Sequence, residues 1–279
     1  MKTGLLGLAA AAALTLTLGA CGQKPTKADS MDGIIAQRNA DAKGPAIWAL
    51  QDADTKIYLF GTVHLLKPET QWRTPKFERA LAEADIVYQE ADVSDEAQLE
   101  LMNVLPSLAF YADGSTLRGT LDADDEKEVQ EAADILGLDL AGFDRMKPWF
   151  AAVALTQTQM AKDGFDASKG VDPIITAAAK SSNKEIRHFE TAEQQLRFFA
   201  NLPESSQIQF LVASAEAVED HPDMLSELVE DWAVGDIDGI EDLLADPESF
   251  GDIIVYDRLL TNRNKVWAEE IADMMDEET

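Results

Sequence analysis

The chain has one cysteine, Cys21, in 279 residues, so no intramolecular disulfide can form and whatever folds after it must be held by a hydrophobic core. Residues 45–279 are enough to bury one substantial core, and a hydrophobic share of 46% is ordinary for a globular domain.

The residues ahead of Cys21 read as an export leader. Lys2 supplies a short basic start, and residues 5–18 are almost wholly apolar, with only Gly7, Thr15 and Thr17 as small interruptions. A membrane-spanning helix needs about 20 apolar residues. This run is shorter and ends in the small residues Gly19 and Ala20, as a processed signal does. Leu18-Gly19-Ala20-Cys21 resembles the lipobox of lipoprotein signal peptidase, which implies removal of residues 1–20 and lipid, palmitate included, on Cys21. The alternative is a signal peptide with an incidental cysteine. Lipidation takes the only thiol out of catalysis. Residues 21–44 carry Lys24, Pro25, Lys27 and Asp29 without a sustained apolar period, and read as a flexible tether. The expected location is the cell envelope, lipid-anchored and facing the periplasm. Gly22 is not the aspartate that retains many lipoproteins at the inner membrane, which favours the outer one.

Acidic side chains outnumber basic ones 52 to 23, for a net charge of −29. Nucleic acid and anionic lipid surfaces are therefore disfavoured partners, and contact with a membrane is expected only through lipid on Cys21. Solubility explains such acidity better than an acidic recognition site.

Short apolar runs at 47–50 and 57–60 flank the turn formers 51–56 and predict a β-hairpin. A third strand is expected at 86–90, after a helix that Thr74 caps and Pro75 opens. From Ser94 the pattern is mainly helical. Residues 122–136 repeat Val129, Ala132, Ala133 and Leu136 on one face, with acids in the first turn and Gly137 at the stop. Pro148 opens a helix to about Lys162, and Asp172-Pro173 starts another. A strand at 185–189 is followed by the capping box Thr191 to Gln194. Further helices are expected at 204–218, 223–234, 238–245 and 252–275. With no repeat and no internal linker, the fold class is α/β: one helix-rich domain, residues 45–279, around a small mixed sheet, behind a lipidated flexible tether. Tryptophans 48, 72, 149, 232 and 267 are spread over these elements and read as core.

Gly61-Thr62-Val63-His64 follows a strand directly, placing the histidine at a strand's carboxyl end, where open α/β sheets usually hold ligands. Gly61 lets the backbone turn or a ligand approach closely. The His64 imidazole could bind a metal or shuttle a proton, or be a structural histidine. Glu90 ends the third strand and could ligate a metal or activate water, or be a solvated strand end. His188 reads as a packed or half-exposed strand residue and His221, before Pro222, as a solvated turn residue.

These words stand in a longer series. Residues 58–68 with Trp72, 80–85 and 87–90 are followed in order by Lys147-Pro148-Trp149, Gly164-Phe165-Asp166, Gly170-Val171-Asp172, Phe189-Glu190-Thr191, Gln194-Gln195-Leu196, Leu202-Pro203 and Arg263-Asn264 with Trp267. The series, from about residue 46 onward, resembles the TraB/GumN family. The resemblance implies kinship with the Tiki metal-dependent proteases and, more distantly, with erythromycin-esterase-like proteins. It also implies a site of two Gly-x-x-His motifs, a glutamate and an arginine.

By position, the first motif is Gly61 to His64, the glutamate is Glu90 and the arginine is Arg263. His64 and Glu90 are then the expected ligands of a divalent metal (manganese, cobalt or zinc), and Glu90 and Arg263 the expected catalytic residues. Arg263 could clamp a carboxylate or steady an oxyanion, or form an ion pair with one of the many acids. The second Gly-x-x-His, which the family has after the Arg-Asn helix, is not in the sequence to Thr279, which suggests a truncated chain. Two functions follow as expectations. One is a metal-dependent, peptidase-like hydrolase of the envelope, and the other a non-catalytic lipoprotein that binds a peptide or partner. The hydrolase requires His64 and Glu90 to converge on one pocket from the tips of adjacent strands.

Overall fold

The computed structural model describes residues 44–92, 94–244 and 247–276. The leader, Cys21 and almost all of the tether lie outside the described residues. Strand β1 (Ile47–Gln51) pairs antiparallel with β2 (Lys56–Phe60), Ile47 opposite Phe60 and Gln51 opposite Lys56. The Asp52 carboxylate caps the turn by accepting from the backbone N–H groups of Asp54 and Thr55. Helix α1 (Pro75–Glu83) begins as its sequence dictates, with Thr74 accepting from the Phe77 N–H and Pro75 in the first turn. It leads into β3 (Ile86–Ala91).

A long helical excursion follows: α2 (Asp95–Ala109), α3 (Leu117–Thr120), α4 (Ala123–Leu136), α5 (Pro148–Lys162) and α6 (Val171–Ser181). Helix α4 is capped by Asp122 and stopped by Gly137, whose φ of 70° only glycine adopts freely. Strand β4 (Glu185–Glu190) then pairs parallel with β3, Ile86 opposite Glu185 and Ala91 opposite Glu190. The expected mixed sheet is thus divided into an antiparallel and a parallel pair among the described residues. The helix-rich α/β class stands.

Next come α7 (Ala192–Ala200), opened by the Thr191–Gln194 capping box, α8 (Glu204–Asp220), α9 (Met224–Val234) and α10 (Ile237–Leu244). The last expected helix is present, with a π turn near its start. Helix α11 (Ile253–Tyr256) passes through a π turn, Asp257–Thr261, into α12 (Asn262–Asp276). A π turn takes an extra residue and rephases the helix after it, and such turns often lie at functional sites. None of the described helices is long and apolar enough to cross a membrane.

Two apolar clusters form the interior. One is helical, built around Trp149, Leu155, Leu196, Leu211 and Leu259. The other joins the hairpin end to α1, α6, α9 and α10 through Val63, Leu66, Trp72, Phe77, Val171 and Trp232. Phe60, Trp72, Phe77 and Trp232 form an aromatic nest, with ring centroids 4.9 Å apart for Phe60–Phe77 and Trp72–Phe77 and 5.9 Å for Trp72–Trp232. The nest fixes the chain leaving β2, because the Trp232 indole N–H donates to the Gly61 carbonyl at 2.9 Å. Replacing Trp232 with Phe keeps most of the ring but strands that partly buried carbonyl. We expect a loss of about 1–3 kcal/mol by urea unfolding, with an unchanged m value.

Candidate functional site around His64

The segment carrying His64 is held along its length by the loop before α6. Leu66 exchanges backbone hydrogen bonds with Asp166, at 3.3 Å and 3.0 Å, and the Val171 N–H donates to the Val63 carbonyl at 2.9 Å. Gly170 lies so close to the His64 carbonyl that a Cβ there would stand 2.1 Å from the oxygen. Only glycine fits, which gives a physical reason for the Gly170-Val171-Asp172 word. Gly61 is different: a Cβ there would meet nothing within 4 Å, and its φ is not left-handed. The close backbone approach in this region belongs to Gly170.

Asp172 is the residue that reading the sequence missed. Asp172-Pro173 reads locally as a helix start, but α6 begins at Val171 with Gly170 as its cap and no side-chain cap bond. Asp172 therefore lies within the first turn with its carboxylate turned inward, the residue as a whole 6% exposed. Its Oδ2 lies 2.7 Å from His64 Nδ1, and its Oδ1 accepts from the Thr62 hydroxyl at 3.1 Å. The Asp172 backbone carbonyl accepts from Gln89 Nε2 at 3.2 Å and from the Thr176 hydroxyl at 2.8 Å.

Glu90, next to Gln89 at the end of β3, belongs to a second group centred on Arg263. The guanidinium donates to both oxygens of Glu190 at 2.9 Å, to Glu90 Oε2 at 2.9 Å and to the Leu259 carbonyl at 3.0 Å. Four of its five N–H bonds are thus committed within the protein. The side chain is 3% exposed and lies against the rings of Trp267 and Phe198, at 4.7 Å and 5.4 Å. Gln195 Nε2 bridges the two carboxylates, 3.2 Å from Glu190 Oε2 and 3.4 Å from Glu90 Oε2. Glu190 and Gln195 were also missed as site residues: both stand in words of the motif series, but nothing local marks which acids a buried arginine selects.

The two groups are near enough to act on each other's charge. Burial pulls the His64 pKa down, but the Asp172 charge and hydrogen bond, with Glu90 behind them, outweigh it and hold the pKa above the ordinary imidazole value. Burial pushes Glu90 above the usual carboxylate range, with Asp172 adding to it against the opposing pull of His64 and Arg263. Burial would also raise Asp172, yet the His64 charge and hydrogen bond and the Thr62 hydroxyl bring it below its usual value. For Arg263, burial lowers the pKa and the bonds and charges of Glu190 and Glu90 more than restore it. Of the expected site residues, Glu90 and Arg263 are in direct contact, and His64 lies within range of their charges. His64 follows β2 and Glu90 ends β3, strands that belong to different pairs rather than lying adjacent. His188 is half-buried in β4, and His221 is exposed at the end of α8.

Two donors suit a divalent ion. His64 Nε2 is buried without a hydrogen-bond partner, its Nδ1 anchored to a carboxylate as in many metal-binding histidines, and Glu90 offers a carboxylate nearby. Among the described residues, no group of three His, Cys, Asp or Glu stands close enough to hold a metal. Catalytic centres commonly use three protein donors, of which this pair would supply two.

Fold and site together define a helix-rich α/β domain with a carboxylate-anchored histidine beside a buried Glu–Arg–Glu group. The chain belongs to the TraB/PrgY/gumN family, whose model matches residues 46–279. It is similar to the uncharacterized protein YbaP of Escherichia coli (strain K12), at 24% identity over 82% of this chain and 83% of the relative. The YbaP protein of Shigella flexneri has the same identity and coverage. No solved structure matches.

Two outcomes test this geometry. Gly170→Ala must push the His64 segment aside, and we expect a loss of about 1–3 kcal/mol on unfolding. The His64–Asp172 pair sets a pH window. Its contribution is fully present between the ordinary values of 3.8 for Asp172 and 6.5 for His64. It is lost as pH falls through the depressed Asp172 pKa and as pH rises through the raised His64 pKa. The stability difference between the protein and its His64→Gln variant, followed by urea unfolding in chelator, should be greatest inside that window and shrink on both sides.

Proposed function

We propose that the protein is a lipid-anchored envelope hydrolase, peptidase-like and dependent on a divalent metal, working at His64 and Glu90. The observation that carries this reading is the buried, partnerless Nε2 of His64 in a site it shares with Glu90. The kinship with the Tiki metalloproteases that the family resemblance implies points the same way. His64 Nε2 and Glu90 would hold manganese, cobalt or zinc together with a further donor. The bound ion would polarise a scissile carbonyl and acidify its water. Glu90, its pKa raised by burial, is suited to take a proton from attacking water and to pass it to the leaving amine. Arg263 is committed to Glu90 and Glu190 and so acts as a positioning residue, fixing the Glu90 carboxylate rather than meeting substrate. A lipid on Cys21 would keep the domain at the membrane, periplasm-facing and by preference at the outer membrane.

One observation favours a second reading, a non-catalytic lipoprotein that binds a peptide or partner: the Glu90 carboxylate is already engaged by Arg263 and Gln195.

Titrating the purified full-length protein with manganese, cobalt or zinc separates the two. We expect binding that disappears in His64→Ala and weakens about tenfold or more in Glu90→Gln, with loss of peptide hydrolysis in both. Wild-type protein that takes up none of these metals, or a His64→Ala variant that binds like wild type, sinks the hydrolase. Partner capture unaffected by both substitutions would then support the second reading. For the anchor, mass spectrometry of the mature N-terminus should find acylated Cys21, and Cys21→Ser should release the protein from membranes. An unmodified Cys21 at the membrane contradicts the lipid.

A further inference from the structure

Asp172 is an acid in the first turn of α6, a position where carboxylates ordinarily face solvent and favour the helix dipole. Here the side chain is buried instead, a cost that a pairing partner must offset. Everything around it is arranged to deliver the carboxylate to one atom. Gly170 packs on the His64 carbonyl, and the Val171 N–H binds Val63. Gln89 Nε2 holds the Asp172 carbonyl, and Thr62 donates to Oδ1, which leaves Oδ2 for His64 Nδ1 at 2.7 Å.

Asp172, its pKa held below the ordinary carboxylate value, is ionised at neutral pH, and an ionised carboxylate only accepts, at Oδ1 from Thr62 and at Oδ2 from His64. The ring nitrogen facing it must therefore carry a proton, and the other nitrogen of a neutral ring must be the lone-pair nitrogen. We propose that Asp172 is the positioning residue of the site, fixing His64 as the Nδ1–H tautomer and so presenting the Nε2 lone pair to a metal ion or an incoming proton. Thr62 and Gln89 serve by holding Asp172. The assignment of Nε2 as the working atom rests on the proposed hydrolase, whereas the tautomer itself does not.

The test uses the full-length protein labelled with 15N-histidine, whose three histidines give a sparse spectrum. Long-range 1H–15N correlation, recorded where the neutral ring of His64 predominates, reports which nitrogen carries the proton. We expect Nδ1–H in the wild type and a shift toward Nε2–H in Asp172→Asn, since the amide can donate to Nδ1. Cobalt(II) alone, followed by its absorption, should bind about 10–100-fold more weakly to Asp172→Asn. A wild-type His64 in the Nε2–H form overturns the proposal, even if Asp172→Asn fails to fold. So does a folded Asp172→Asn that keeps both the tautomer and the cobalt affinity. The expected tautomer shift without cobalt binding by the wild type upholds Asp172 and removes the hydrolase instead.

Discussion

An imidazole and a carboxylate taken out of water together bind two distant stretches of this chain into one site. Neither His64, with 19% of its side chain exposed, nor Asp172, with 9%, is well solvated, and each offsets part of the other's burial. The contact forms only because the backbone on both sides is already matched. The Leu66–Asp166 bridge, the Val171–Val63 bond and the absence of a Cβ on Gly170 hold 63–66 along 166–171. Behind that seam, the aromatic nest and the Trp232 bond to Gly61 stop the strand end from shifting.

The Glu90–Arg263–Glu190 group meets the same physical requirement in a different way. One cation between two buried carboxylates leaves an excess negative charge, softened by Gln195 and felt by His64. The π turn preceding α12 supplies the Leu259 carbonyl that Arg263 also binds. Removing Arg263 would leave two uncompensated carboxylates, so its structural and functional contributions are inseparable. The site thus lies where the hairpin cluster, through Val63 and Val171, comes up to the helical cluster, through Leu259 and Leu260.

Much of this was legible in the residues because local chemistry decides it. Thr74 with Pro75, Asp122 with Gly137, and Thr191 with Gln194 are each capped or stopped as their side chains dictate. His64 and Glu90 were legible as strand-end residues, and Arg263 through the motif series. What stayed hidden was pairing at a distance. A helix that starts two residues early changes Asp172 from a cap into a partner of His64, 108 positions away in the sequence. The choice of Glu190 among 52 acidic residues is likewise fixed by β3–β4 register and the phase of α12, neither of which has a local signal. The ordered word Gly170-Val171-Asp172 was the one available pointer to Asp172. The division of strands into two pairs was also unreadable, since short apolar runs do not announce their neighbours.

The account depends on His64 and Glu90 sharing one electrostatic environment although their strands do not pair. A double-mutant cycle measures this directly, by urea unfolding at pH 6 of the wild type, His64→Gln, Glu90→Gln and the double variant, in chelator. Shared surroundings predict that the two changes fail to add, with a coupling of about 0.5 kcal/mol or more. Additivity to within about 0.3 kcal/mol would mean that the two side chains do not sense each other, and would contradict the site.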